Sequence, residues 1–213
     1  KSKAFRTARY DVTKVKFCGV SRPCDIEAAN ELRPEYVGFV FATGSHRCIT
    51  PEKAKELKQM LSRDILAVGV FVNEMPEKIA YLLDNGIIDI AQLHGHEDED
   101  YIQSLRRLTN KPTIKAFRIE SKKDLEAAEC CIADYVLLDS GAGTGTTFDW
   151  KLIKSIRRPY FLAGGLSLDN VKEAITMLHP YAVDVSSGIE TDKLKNKAKM
   201  TAFIEAVREE GQV

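Results

Sequence analysis

The chain's 213 residues, 44% hydrophobic and 29% charged, suffice for one domain with a substantial core. Its 31 Lys and Arg balance 31 Asp and Glu, which excludes a nucleic-acid-binding face or a polybasic membrane anchor as the organising feature. Any anionic ligand must therefore be held by a local site. The five cysteines, Cys18, Cys24, Cys48, Cys130 and Cys131, contain no C-x-x-C pair, so neither a disulfide framework nor a zinc site is indicated and a reducing compartment is expected. No apolar run approaches the ~20 residues that span a bilayer, and Lys1 to Lys14 lacks a signal-peptide core. The expectation is a soluble, cytoplasmic protein with no membrane or nucleic-acid partner.

Residues 1–13 read as an N-terminal extension or lead-in, and the start at Lys1, without methionine, leaves room for upstream chain. From residue 14 to 213 short apolar runs recur: Lys14 to Phe17, Tyr36 to Phe41, Ile65 to Val72, Ile88 to Gln92, Thr113 to Phe117, Tyr135 to Leu138, Tyr160 to Ala163 and Tyr181 to Val185. Their starts fall about 21 to 29 residues apart, room for a strand, a covering helix and two tight loops. Between them lie charged segments with helical spacing, such as Pro51 to Leu61, Pro76 to Leu83, Glu97 to Leu108, Lys122 to Cys130 and Leu168 to Met177. Pro51 and Pro76 suit a helix's first turn, and Ser121 and Asp169 lie near helix starts. Eight alternating units predict a single (β/α)8 barrel of the TIM type, an α/β fold. An open doubly wound sheet is the alternative, but no Gly-rich dinucleotide fingerprint follows the first strand.

The last two units carry the clearest ligand signal. Gly164-Gly165 and Ser186-Ser187-Gly188 end consecutive buried strands with small residues that let backbone approach an anion. With a helix expected to follow at Ser167, this is the pattern of a barrel phosphate site on strands seven and eight. Taken singly, either turn also reads as an ordinary strand-to-helix connection.

In such a barrel chemistry sits where strands hand over to the following loops. Cys18 ends strand one, where a thiolate would serve as base or nucleophile; a buried structural cysteine is the plain alternative. Asp139 ends strand six and opens a loop bearing Gly141, Gly143 and Gly145, so it is either a carboxylic acid held against an apolar strand end or a turn-capping aspartate. Strands one and six are not neighbours, so the pair would face a substrate from two sides. Arg47 lies in a Gly-containing loop and reads as a two-pronged carboxylate clamp or a solvated surface arginine. His94 either donates to a ligand or caps its loop, and Asp184, within an apolar run, needs a partner or a ligand hydroxyl. His46, His96 and His179 form no metal-binding pattern, and Cys24, Cys48, Cys130 and Cys131 read as packing or surface thiols.

With these residues in view, the sequence resembles the phosphoribosylanthranilate isomerases of tryptophan biosynthesis, which are (β/α)8 barrels. The resemblance runs from about Val15 to the last helix and rests on Lys14-Val-Lys-Phe-Cys-Gly-Val-Ser-Arg22, Val37 to Phe41 with Gly44-Ser-His-Arg47, Gly69-Val-Phe-Val-Asn73 and Gln92-Leu-His-Gly95. It continues through Leu137-Leu-Asp-Ser140, Gly143-Thr-Gly145 with Phe148-Asp-Trp150, Leu162-Ala-Gly-Gly-Leu166 with Asn170, and Asp184-Val-Ser-Ser-Gly-Ile-Glu190. It implies that Cys18 and Asp139 are the catalytic base and acid of an Amadori rearrangement, that Arg47 holds the anthranilate carboxylate, and that no metal or organic cofactor is required. It further implies phosphate at Gly164, Gly165, Ser186, Ser187 and Gly188, ribose hydroxyls at Asp184, and a phosphorylated sugar as the partner of a monomer or homodimer, with fusion to another tryptophan-pathway enzyme possible in such a family. Thr146 departs from the family, which commonly has a basic residue there, and residues 1–13 match nothing in it. The related histidine-pathway sugar isomerases place an aspartate at the end of strand one, so Cys18 argues against them. A noncatalytic sugar-phosphate-binding barrel would keep the two turns but have no reason to keep both Cys18 and Asp139.

Overall fold

The computed structural model describes residues 12–139, 150–153 and 155–210. Eight strands, β1 (Lys14–Cys18), β2 (Tyr36–Val40), β3 (Leu66–Phe71), β4 (Ile90–Leu93), β5 (Thr113–Arg118), β6 (Tyr135–Asp139), β7 (Tyr160–Ala163) and β8 (Ala182–Val185), close in chain order into one parallel barrel. Around it lie α1 (Pro23–Leu32), α2 (Pro51–Met60), α3 (Pro76–Asp84), α4 (Glu99–Leu108), α5 (Lys122–Cys130), α6 (Trp150–Ile153), α7 (Val171–Leu178) and α8 (Lys197–Glu210). The closed (β/α)8 expectation holds, and the open sheet does not. No described helix is long and apolar enough to cross a membrane. Residues 140–149, with Gly141, Gly143, Gly145, Thr146 and Phe148, lie outside the described residues, as do residues 1–11.

Most of the strands are buried on both faces because they carry two apolar sets, while β1 turns Lys14, Lys16 and Cys18 inward. Tyr36, Val68, Ile90, Ile114, Leu137, Phe161 and Ala182 fill the barrel, whereas Val15, Phe17, Phe39, Phe71, Leu93 and Leu138 belong to the larger layer beneath the helices. Local chemistry sets most helix starts. Pro51 and Pro76 occupy first-turn positions, Thr50 accepts from Lys53 N–H, and Asp98 accepts from Tyr101 N–H at 2.9 Å. Ser121 caps α5 in a reciprocal arrangement with Asp124.

Two segments depart from expectation. Helix α7 begins at Val171 rather than near Ser167, because residues 167–170 form a turn of their own. Ser167 N–H donates to Asn170 Oδ1 at 2.9 Å, and Asn170 Nδ2 donates to Gly165 O at 3.0 Å. After β8, a 3₁₀ turn (Ser187–Ile189) leads into a hairpin of β9 (Glu190–Thr191) and β10 (Leu194–Lys195). Its turn residues Asp192 and Lys193 both have left-handed φ, 51° and 64°, as a tight two-residue hairpin turn demands. Neither residue is the glycine that usually announces such a turn.

A buried ion pair braces the loops after β3 and β4. Lys115 on β5 meets Glu97 at 2.9 Å and donates to Gly95 O at 2.7 Å. Glu97 also accepts from Asn73 N–H at 2.7 Å and Gly95 N–H at 2.8 Å, so both oxygens are satisfied. Its carboxyl resists burial, yet the Lys115 hydrogen bond holds it below the usual carboxylate range. Lys115→Met should destabilise the fold by about 3–5 kcal/mol, since it strands a buried carboxylate, while adding Glu97→Gln should restore a large part of the loss. Urea unfolding of the single and double variants checks this.

Candidate active site

The site is built at the carboxyl ends of the strands, where β1 and β8 meet. Register pairs Lys16 with Asp184 across these strands, and Cys18 with Gly38 across β1 and β2. Lys16 is fully buried, and its ammonium meets Asp184 Oδ2 at 2.8 Å. Asp184 Oδ1 is also buried and has no hydrogen-bond partner among the described residues, an acceptor poised for a ligand donor. Cys18, two residues beyond Lys16, is half-buried. A Cβ at Gly38 would lie 2.8 Å from Cys18 Sγ and 3.3 Å from Lys16 Nζ, so the missing side chain leaves the space into which both groups project. Burial pushes the Cys18 thiol up from its ordinary value, and the Lys16 ammonium pulls against that.

The turn after β8 is tied to the same place. Ser186 Oγ donates to Cys18 O at 3.0 Å and accepts from Lys195 Nζ at 3.2 Å, so this hydroxyl joins the seam instead of standing open. Gly188 is confined by space, because a Cβ there would overlap the Leu166 carbonyl oxygen of the turn after β7. Gly164 and Gly165 have left-handed φ of 93° and 63°, conformations that other residues rarely adopt. The Gly-Gly and Ser-Ser-Gly turns thus pack backbone to backbone, as two halves of one anion cradle would.

Arg47 lies on the other side of Cys18. Its stem occupies the space above Gly19, where a Cβ would overlap Arg47 Cδ. Its guanidinium makes a two-pronged contact with Glu190, Nε to Oε1 and Nη2 to Oε2, each 2.7 Å. Glu190 also accepts from Lys195 Nζ at 2.6 Å, so one carboxylate holds two cations. Burial opposes the Glu190 charge, yet the bonds from Arg47 and Lys195 outweigh it and bring the carboxyl from 4.5 to about 2. The fork expected for a ligand carboxylate is therefore already shaped by an internal one.

Across the ring, His94 and Asp139 form a second group. His94 Nε2 lies 3.6 Å from Asp139 Oδ2, and both side chains are about a third exposed. His94 Nδ1 lies 2.9 Å from Gln92 Nε2, while Gln92 Oε1 is buried without a hydrogen-bond partner among the described residues. With the amide donating, the imidazole carries its proton on Nε2 and turns it toward Asp139.

The structure thus brings together Cys18, Arg47, Asp184, Ser186, Ser187 and Gly188 around the β1–β8 seam, with Gly164 and Gly165 in the adjoining turn and His94 and Asp139 across the mouth. Sequence reasoning missed Lys16, Gly38, Gln92, Glu190 and Lys195. Lys16 had a usable signal, a charge within an apolar strand run. Glu190 ends a motif that carries the resemblance, but its pairing with Arg47 and Lys195 had no signal, because it depends on a hairpin that the apolar pattern does not mark.

Glu190 makes the mouth sensitive to acid. Its folded-state carboxyl, at about 2, lies below its unfolded value of 4.5, so its stabilisation is complete above 4.5 and is lost as pH falls toward 2. The stability gap between the parent chain and Glu190→Gln should accordingly be widest above pH 5 and close toward pH 2, measured by urea unfolding across that range.

The family model described as N-(5'-phosphoribosyl)anthranilate (PRA) isomerase matches residues 15–206. An N-(5'-phosphoribosyl)anthranilate isomerase from Thermoanaerobacter sp. (strain X514) is 45% identical over 204 residues, covering 92% of this chain and 98% of that protein. The crystal structure of phosphoribosyl anthranilate isomerase from Thermotoga maritima superposes with a TM-score of 0.84 at 34% identity, over 93% of this chain and 100% of its own. A second crystal structure, of the isomerase in complex with reduced 1-(o-carboxyphenylamino)-1-deoxyribulose 5-phosphate, has a TM-score of 0.82 at 34% identity with the same coverage. A barrel with these strand ends, matched over nearly its whole length, belongs to the N-(5'-phosphoribosyl)anthranilate isomerase family.

Proposed function

We propose that this chain rearranges N-(5-phosphoribosyl)anthranilate to 1-(2-carboxyphenylamino)-1-deoxyribulose 5-phosphate, an Amadori step of tryptophan biosynthesis, in the cytoplasm. The observation that carries this reading is the placement of Cys18 and Asp139. They end non-adjacent strands β1 and β6 at the same mouth, each partly exposed to it. One can act on the ring oxygen while the other acts on C2.

Asp139 donates a proton to the ribose ring oxygen as the C1–O bond breaks, and the anthranilate nitrogen supplies the electron pair that forms the C1=N iminium. His94 Nε2, 3.6 Å from Asp139 Oδ2, faces the carboxylate and steadies the negative charge left on it when the proton departs. Cys18 thiolate then takes the proton from C2, and the electrons flow into the iminium to give a neutral enolamine. Tautomerisation of the enol to the ketone completes the product. The iminium is the electron sink, so the chemistry requires no cofactor.

The remaining groups hold the substrate. Gly164, Gly165, Ser187 and Gly188 cradle the phosphate, with Ser186 fixing that turn to β1. The unpartnered Asp184 Oδ1 takes a ribose hydroxyl. The anthranilate carboxylate goes to Arg47, sharing the guanidinium with Glu190 or displacing it. All these groups come from one chain, so a monomer suffices for catalysis, whether or not it pairs as the dimeric Thermotoga maritima enzyme does.

Cys18→Ala and Asp139→Asn should each lower turnover by roughly two to four orders of magnitude, the usual worth of a general base or acid. The assay follows loss of anthranilate-type fluorescence with substrate generated in situ. Near-normal turnover in either variant removes that residue's role. Binding without turnover in the parent chain would instead identify a sugar-phosphate-binding protein.

A further inference from the structure

We propose that Lys16 is a positioning residue that sets the charge state of Cys18: its buried ammonium is the standing counter-ion of the thiolate, and Asp184 fixes it in place. The inference rests on the reading of Cys18 as the catalytic base. The two side chains project from one strand to the same side, two residues apart. The Gly38 geometry puts Sγ and Nζ within about 6 Å of one another, a separation at which an opposite charge favours the ionised form.

Stability alone accounts poorly for this lysine. Removing an ammonium and a carboxylate from water costs about as much as their attraction returns, and an apolar pair of similar volume would serve the fold at least as well. The pair also leaves Asp184 Oδ1 without a hydrogen bond, which adds a further cost. What a lysine supplies and an apolar residue cannot is a permanent positive charge beneath the sulfur. Lys16 keeps that charge: burial opposes it, but Asp184 and Cys18 together raise it above the ordinary lysine value.

The other groups around Cys18 do not replace it. Asp184, from β8, opposes the thiolate. Lys195, from β10, favours it but is already bound by Glu190 at 2.6 Å. Arg47, from the loop after β2, is held by both oxygens of Glu190. Strand β2 itself contributes only Gly38 at this point, and Ser186 reaches the Cys18 carbonyl rather than its sulfur.

The test is the pH dependence of Cys18 alkylation by iodoacetamide in the full chain, read by peptide mass mapping so that the exposed Cys24, Cys48 and Cys130 do not interfere. Lys16→Met should move the alkylation midpoint up by about one pH unit or more, the scale of losing a close opposite charge. Its turnover should fall at neutral pH and recover as pH rises, which a merely structural defect would not do. Lys16→Gln, neutral and close in length, should move the midpoint up likewise; it decides the matter if Lys16→Met does not fold. A midpoint unchanged in every variant that folds overturns the proposal. Because alkylation needs no turnover, this outcome is separable from failure of the base assignment, which Cys18→Ala tests alone.

Discussion

Closing eight strands into a ring forces β1 against β8, and the site depends on that seam. Residues 168 positions apart become ladder neighbours: Lys16 bonds Asp184, and Ser186 bonds the Cys18 carbonyl. Nearer the other end, Lys14 N–H donates to Tyr181 O at 3.0 Å. None of these contacts forms until the last strand is in place. Cys18, the buried Lys16 and the turn that follows β8 therefore reach their geometry in one event, the closure of the barrel. A loop-borne site could shift with its loop, whereas this one is fixed by strand register.

The charges at the mouth are arranged so that each has an internal partner before any ligand arrives. Glu190 holds Arg47 and Lys195, Asp184 holds Lys16, and Asp139 faces His94. Such pairing lowers the cost of keeping cations in a partly buried cleft and fixes their direction. It also defines what a ligand must bring. Arg47, Lys195 and Lys16 balance Glu190, Asp184 and the Cys18 thiolate, so an anionic ligand is met by directed donors rather than by surplus positive charge. The pairs thus preorganise the mouth for an anion without leaving a bare cationic patch, which agrees with the chain's balanced overall charge.

Much of this was readable from the sequence, for a physical reason. A strand buried on both faces is a nearly continuous apolar run, so the eight strands announced themselves, and their ends marked Cys18, Asp139 and the two Gly/Ser turns. What stayed hidden was pairing. Arg47 reads the same whether it is solvated, clamps a ligand or is gripped by Glu190, since the answer lies in a hairpin whose turn, Asp192-Lys193, lacks the usual glycine. The start of α7 was misplaced because Asn170 caps a separate turn through a side chain that composition does not distinguish from a helix cap. Residues 140–149, which include Thr146 and three glycines, are outside the described residues.

The two lysines of β1 show how position along one strand turns the same side chain to different ends. Lys14 lies toward the amino ends of the strands, where Tyr36, Tyr135, Phe161 and Tyr181 pack edge to face and stacked. Its ammonium donates to Tyr181 Oη at 2.7 Å and sits 4.6 Å from that ring's centre, so phenol and π face hold the cation without a formal counter-charge. Aromatic packing closes this end of the barrel. Lys16, one inward-facing position nearer the mouth, is fully buried and has a carboxylate on one side and a thiol on the other. A cation held by phenols has nothing to exchange. A cation held between a carboxylate and a thiol can stabilise either anion, and as Cys18 gains or loses its proton the balance between them shifts without Lys16 having to move.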